Sequence, residues 1–322
     1  MKKTLLIGLF ISAIMLILPM SVLGNSQKNA VIQLQEHIPT VSNLPKQSTS
    51  FKVLNFQSKE ITEISSTDYI FGVVAAEMPA LYEKEALKAQ AVAAYTFALC
   101  RKNENIDKEY DITTDSFTDQ GFITKEEAAQ RWGENTEEYT KKIKDAINEV
   151  SGYAITYENQ PIIAVYHALS SGKTESSKDV WGIELEYLTP VASESDKLAA
   201  NFETEVSFTL EELKEKLKDT VELTGEPEKI FSDCKRTDSG AVISINICDK
   251  EIRGADLRSL LDLRSSDFSV DYKEQKFIFT VRGYGHGVGM SQNGANNMAK
   301  LGSEFDEILT YYYKGSRVEK LK

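Results

Sequence analysis

The chain has 322 residues, 41% hydrophobic and 27% charged, an ordinary globular composition with enough apolar content for a sizeable core or two domains. A net charge of −12 argues against a nucleic-acid partner. Cys100, Cys234 and Cys248 supply neither a disulfide framework nor close metal-ligand spacing, so all three are expected as free thiols.

At the N-terminus Lys2 and Lys3 precede an apolar run from Leu5 to Leu23, nearly a full bilayer span. The run is longer than the usual core of a cleavable signal peptide, although Val22 and Gly24 offer a peptidase a site. Residues 1–24 therefore read as an uncleaved transmembrane anchor. With the lysines inside, everything after Asn25 is expected outside the cytoplasm. Residues 25–50 are polar, with Pro39 and Pro45, and read as an extracytoplasmic tether; residues 51–322 are expected to fold. Phe51–Ile64 alternates loosely and predicts a strand pair.

Ile70–Arg101 (IFGVVAAEMPALYEKEALKAQAVAAYTFALCR) is the stretch around which the chain is organised. From Ile70 to Pro79 every residue except Glu77 is apolar, Gly or Pro, so this carboxylate leaves a hydrophobic segment near a helix end. Desolvation there raises its pKa, and a protonated Glu near neutral pH can serve as a general acid in glycoside cleavage. A Glu paired with a Lys, or capping a neighbouring helix, is the alternative at this point. Pro79 breaks the helix after Met78, and Glu85–Arg101, rich in alanine, predicts a closely packed second helix.

Asp111–Gln120 (DITTDSFTDQ) has no helical pattern and reads as an Asx-rich loop. Asp111, Asp115 and Asp119 recur every four residues, which leaves open a hard cation such as calcium held through oxygens. A capping box at Thr124–Glu127 opens a short helix, and Thr136 opens another with Tyr139, Ile143, Ala146, Ile147 and Val150 on one face. Tyr153–Tyr157 and Pro161–Ala168 predict a hairpin, followed by the Ser-Gly turn Ser170–Thr174, whose hydroxyls and amides suit sugar hydroxyls. His167 reads either as a strand His facing a core partner or as a functional group. Residues 205–280 predict a supporting lobe: an amphipathic helix in Thr209–Val221, a hairpin in Ile230–Ile247, a helix in Arg253–Leu263, and strands at Phe268–Tyr272 and Lys276–Arg282. In Gly283–Ala295 (GYGHGVGMSQNGA) glycines at 283, 285, 287 and 289 leave one face bare, open to a sugar ring or another backbone. Ser303–Asp306 caps the last helix, which buries Ile308, Leu309 and Tyr312.

EMPALYEKEALKAQAVAAYTFA, from Glu77, closely resembles the E-M-P and E-A-L-K-A-Q-A-V-A-A signature of the stage II sporulation protein D family, and GHGVGMSQNGA resembles its C-terminal signature. The likeness spans roughly Ile64 to Arg317; Trp181 and Glu186-Tyr187-Leu188 keep the middle frame but lose a Pro. It implies an α+β fold of mixed helices and antiparallel sheets, two lobes around a substrate groove, after the N-terminal transmembrane helix. The family's members are peptidoglycan lytic transglycosylases of sporulation and engulfment, lyases at the bond between N-acetylmuramic acid and N-acetylglucosamine. Glu77 matches their catalytic acid. Substrate-contacting candidates are Lys88, Gln90, Tyr95, Gln120, Ser170, Ser171, His286, Ser291 and Gln292; Lys84 and Lys88 read either as candidates for the lactyl carboxylate of muramic acid or as solvated helix-face lysines.

The resemblance also implies peptidoglycan glycan strands as substrate, a sporulation amidase or endopeptidase that strips stem peptides, and a membrane scaffold protein as partners. The N-terminal anchor leads us to expect a cell-membrane location, and no cofactor is expected. Tyr95 stands where Arg is usual, Asp119 replaces a His, Asn293 replaces an aromatic residue, and the cysteines that bind zinc in some relatives are missing. No zinc is therefore expected. A rival reading is a non-catalytic wall-binding protein that stimulates an amidase, because amidase enhancers share this domain. Metal-dependent hydrolysis through His167 and His286 lacks a third nearby ligand.

Overall fold

The computed structural model describes residues 47–116 and 118–321. The apolar run at 1–24 and the tether up to residue 46 lie outside them, and among the described residues no helix is long and apolar enough to cross a membrane.

The described chain enters through a hairpin, β1 (Ser50–Leu54) and β2 (Ile61–Ser65), paired antiparallel with Ser50 opposite Ser65. Ser65 then caps α1 (Ser66–Glu77), its hydroxyl accepting the Asp68 N–H at 3.1 Å. Helix α1 is buried continuously from Tyr69 to Ala75, so it carries no amphipathic stripe. Met78 turns extended (φ −121°, ψ 136°) ahead of Pro79, as the proline requires. After this break α2 (Lys84–Glu104) runs through the centre of the first lobe with Ala86, Ala89, Ala91, Ala93, Ala94 and Ala98 buried. Such small side chains let neighbouring helices approach it closely.

Around α2 the chain lays down β3 (Ile112–Thr113), α3 (Lys125–Trp132), α4 (Thr136–Glu149), β4 (Tyr153–Tyr157), β5 (Gln160–Pro161), β6 (Tyr166–His167) and α5 (Ser177–Trp181). The capping box at Thr124 and Glu127 forms as its sequence predicts. The β4–β5 turn places Glu158 and Asn159 at φ 50° and 63°, the left-handed pair of a tight hairpin. Ile162, Ile163 and Ala164, expected as strand, join no ladder. They are buried in the main core, which explains an apolar run without alternation.

The second lobe comprises β7 (Glu203–Phe208), α6 (Leu210–Leu217), β8 (Phe231–Arg236), β9 (Val242–Ile247), β10 (Lys250–Arg253), α7 (Gly254–Leu260), β11 (Asp267–Lys273) and β12 (Lys276–Arg282). Its two sheets, ordered β10-β9-β8 and β11-β12-β7, are antiparallel throughout. Between them lies a separate hydrophobic cluster that includes Leu213, Leu217, Ile247, Phe268, Phe277 and Phe279. The chain then returns to the first lobe as β13 (Met290–Ser291), α8 (Gln292–Lys300), α9 (Phe305–Tyr312) and β14 (Arg317–Lys320). Two short contacts depart from the antiparallel expectation: β1 pairs with β3, and β6 with β13, in parallel. These strands are brought together by long excursions of chain rather than by hairpins. Cys100 is buried, Cys234 exposed and Cys248 half-buried, and all three are free.

Candidate active site

Glu77 is the last residue of α1, and its carboxylate is held by the loop that follows β3. The Gly121 N–H donates to Oε1 at 2.7 Å. A Cβ on residue 121 would stand 2.6 Å from that oxygen, so any larger residue there would push the Glu77 carboxyl aside. Burial pushes the Glu77 carboxyl up, and the Gly121 bond opposes burial only in part. Its position at a helix C-terminus, where the backbone dipole disfavours negative charge, acts in the same direction as burial. Among the described residues no second carboxylate acts on Glu77.

Near this acid runs a polar chain built from five separate segments. The Tyr166 hydroxyl donates to Gln120 Oε1 at 2.9 Å, and Gln120 Nε2 donates to the Tyr69 hydroxyl at 3.2 Å and to the Ala94 carbonyl at 3.3 Å. Gln90 approaches the same Tyr166 hydroxyl and accepts from Gln292 Nε2 at 3.2 Å. Burial holds Tyr69 and Tyr166 well above the usual phenol range, and for both the Glu77 charge pushes the same way. Both hydroxyls are therefore protonated at physiological pH, with Tyr166 donating and Tyr69 accepting. Both lie close enough to Glu77 for its charge to act on them.

Alternate glycines of the Gly283–Gly289 loop all take positive φ. The bare face is filled by the protein's own chain rather than left for a sugar. A Cβ at 285 would meet His167 Cβ at 2.7 Å, and one at 289 would meet the Val165 carbonyl at 2.1 Å. His286 stands 5.3 Å from the buried Trp181 ring and 5.8 Å from His167, centroid to centroid. Its Nδ1 accepts the Val288 N–H at 3.1 Å, and burial lowers its pKa well below the ordinary value. His167 Nδ1 faces the Val288 carbonyl at 3.1 Å, which requires the proton on that nitrogen; burial pushes its pKa down to about 4. Both rings are neutral. His167 thus takes the core reading.

A family model described as Stage II sporulation protein matches residues 55–157. Stage II sporulation protein D of Bacillus subtilis (strain 168) is 36% identical over 272 residues, which cover 84% of this chain and 78% of that protein. The chain belongs to the stage II sporulation protein D family. The Bacillus amyloliquefaciens protein of the same name is 32% identical over 295 residues, covering 91% of this chain and 84% of that one. The amidase enhancer of Bacillus subtilis is more distant, 25% identical over 305 residues and matched over 39% of its own length.

In this stage II sporulation protein D family member the remaining site candidates divide by what their polar atoms already hold. Gln90, Gln120 and Gln292 converge around Tyr166 and are buried, so they belong to the interior rather than to an open surface. Ser170 and Ser291 are also buried, and their hydroxyls donate to Asp196 at 2.6 and 2.7 Å. Asp196, which sequence reasoning missed, further accepts the Ser170 N–H at 3.0 Å and Asn293 Nδ2 at 2.9 Å. These serines are joints in the scaffold, with no hydroxyl turned to solvent for a sugar. Ser171 donates to the Ser239 carbonyl at 3.2 Å and ties the first lobe to the second.

Tyr95 exchanges hydrogen bonds with the Ser48 backbone and clamps the incoming chain against Phe51. Lys88 pairs with Glu85 at 2.7 Å and Glu149 at 3.1 Å, while Lys84 also pairs with Glu149. Both lysines are paired within the protein in this structure. Asp119, which replaces a His, is buried with Oδ1 2.5 Å from Arg101 Nε and Oδ2 accepting the Thr113 N–H at 2.8 Å. Arg101 also pairs with Glu104, so Asp119 serves a structural charge pair and not the reacting centre. Asp111 Oδ2 accepts the Lys52 N–H at 2.9 Å, and Asp115 Oδ2 accepts the Thr118 hydroxyl at 2.9 Å. Among the described residues no group of three or more His, Cys, Asp or Glu is arranged to hold a metal ion.

Proposed function

We propose that the protein is a lytic transglycosylase that cleaves peptidoglycan glycan strands during sporulation, with Glu77 as its single acid and base. The observation that carries this reading is a half-buried carboxyl at the end of α1, raised in pKa by desolvation, with no second carboxylate acting on it among the described residues. Ordinary glycosidases place two carboxylates about 5 to 9 Å apart, to activate water or to form a covalent intermediate. A lytic enzyme needs one. Protonated Glu77 donates to the glycosidic oxygen as that bond breaks, and the resulting carboxylate takes the proton of the substrate's own C6 hydroxyl as the ring closes to the 1,6-anhydro product. The Gly121 amide holds the carboxylate oxygen in place through both transfers. We further propose an N-terminal membrane anchor, an extracytoplasmic domain, and a partner amidase that supplies strands stripped of stem peptides.

Similarity to the amidase enhancer favours a second reading, in which the domain binds wall strands and stimulates an amidase without cutting. The two separate in one assay. The purified domain alone is incubated with denuded strands, and products are read by mass spectrometry. Anhydro-muramyl ends that form without amidase and vanish in Glu77→Gln support the enzyme. Their absence, with faster cleavage only when an amidase is added, overturns it in favour of the enhancer.

A further inference from the structure

The chain has eight arginines. Arg101, Arg236, Arg253 and Arg282 each pair with a carboxylate, and among the four without one Arg131 and Arg317 are exposed to water. Arg258 and Arg264 are different, because both are partly buried in a strongly acidic protein and neither has a carboxylate partner among the described residues. Arg258 spends only its Nε, which donates to the Leu263 carbonyl at 3.2 Å; its terminal nitrogens engage no described residue. Burial lowers its pKa below the ordinary value, so the charge is desolvated without being neutralised. Arg264 lies over the Tyr284 ring at 4.6 Å and donates Nη1 to the Asn201 carbonyl at 3.1 Å.

A backbone contact brings Arg264 to the glycine loop, and Arg258 is tied to the same segment through the carbonyl of Leu263, the residue next to Arg264. The Gly285 N–H donates to the Arg264 carbonyl at 2.9 Å, and Gly285 is also the residue that packs on His167. Arg258 acts electrostatically on both His167 and His286, and on Tyr284. Tyr284 is 49% exposed, an aromatic face at the seam between the lobes. An unpaired guanidinium beside an exposed ring is a receptor for a sugar that carries a carboxylate.

We propose that Arg258, with Arg264 and Tyr284, forms a subsite on the second lobe for a muramic acid residue of the strand, the free lactyl carboxylate meeting Arg258 and the sugar ring meeting Tyr284. This rests on the glycan-strand reading above, and it assigns to the second lobe a carboxylate contact for which Lys84 and Lys88, each paired with a glutamate, were the sequence candidates. The subsite favours strands without stem peptides, because a peptide converts the lactyl carboxylate to an uncharged amide.

Binding is measured by calorimetry on full chains carrying Glu77→Gln, so that no strand is consumed. The ligands are denuded strands, the same strands with stem peptides, and N-acetylglucosamine oligomers, which have no carboxylate. Arg258→Gln is expected to weaken denuded-strand binding about tenfold or more and to abolish the preference over peptide-bearing strands, leaving the oligomers unaffected. Arg258→Lys, which keeps charge but loses the fork, falls between. An equal loss for all three ligands marks a merely structural arginine and overturns the subsite, as does no loss at all. If the parent chain fails to form anhydro ends while Arg258 still discriminates among ligands, the catalytic reading falls and the subsite stands.

Discussion

Glu175 lies in the joint between the lobes, and replacing it with glutamine tests the electrostatics of that joint. The residue is 4% exposed. Its Oε1 accepts the Thr237 hydroxyl at 3.1 Å and the Ala241 N–H at 3.2 Å, both from the second lobe, while Oε2 has no hydrogen-bond partner among the described residues. Burial pushes the carboxyl up from 4.5 to about 7, with Asp179 and Asp267 adding repulsion and the two donors opposing. A folded pKa raised above the unfolded one contributes stability that is complete below the unfolded value and lost as pH rises through the folded one. Between about pH 5 and about pH 8 the loss integrates to about 2–3 kcal/mol. Glu175→Gln keeps an acceptor at Oε1 and puts an amide nitrogen where Oε2 stood, a change whose cost is the same at every pH. All other groups titrate alike in both proteins. Urea unfolding across this range should therefore give a variant curve flatter by about 2–3 kcal/mol, or by about 5–10 °C in Tm. Parallel curves would refute burial as the force acting on Glu175.

The same sign governs catalysis at Glu77: because burial favours the protonated acid, kcat/KM should fall as pH rises past its raised pKa, and a rate still climbing with pH would contradict a general-acid role. Gly121→Ala places a methyl group 2.6 Å from Glu77 Oε1 and should displace the carboxyl, cutting turnover about tenfold or more while the melting transition moves little. Unchanged turnover would show that the Gly121 contact does not position the acid. Asp119→Ala leaves Arg101 buried with Glu104 as its remaining carboxylate and should cost about 3–5 kcal/mol in urea unfolding; a loss below about 1 kcal/mol would mean water reaches that pair.

What the sequence by itself determined is local. The break at Pro79, the cap at Thr124, the alanine-rich α2 and the exposed or buried faces of α4 and α9 follow from rules that act over a few residues, and each formed where it was expected. Glu77 was legible for the same reason, since a lone acid in an apolar helix end carries its desolvation in its neighbours. The hydrogen-bond partners were not legible. Gln292 meets Gln90 across 202 residues, Tyr166 meets Gln120 across 46, and Ser291 meets Asp196 across 95. Composition gives each of these side chains the same donors and acceptors wherever it lies, so a serine in a Ser-Gly turn looks equally fit for a sugar or for a buried aspartate. Lys88 likewise reads as a free cation until α4 carries Glu149 beside it. The glycine loop could have admitted a ligand or another segment of chain. Only the parallel pairing of β6 with β13, which presses residues 165–167 onto Gly285 and Gly289, decided for the chain.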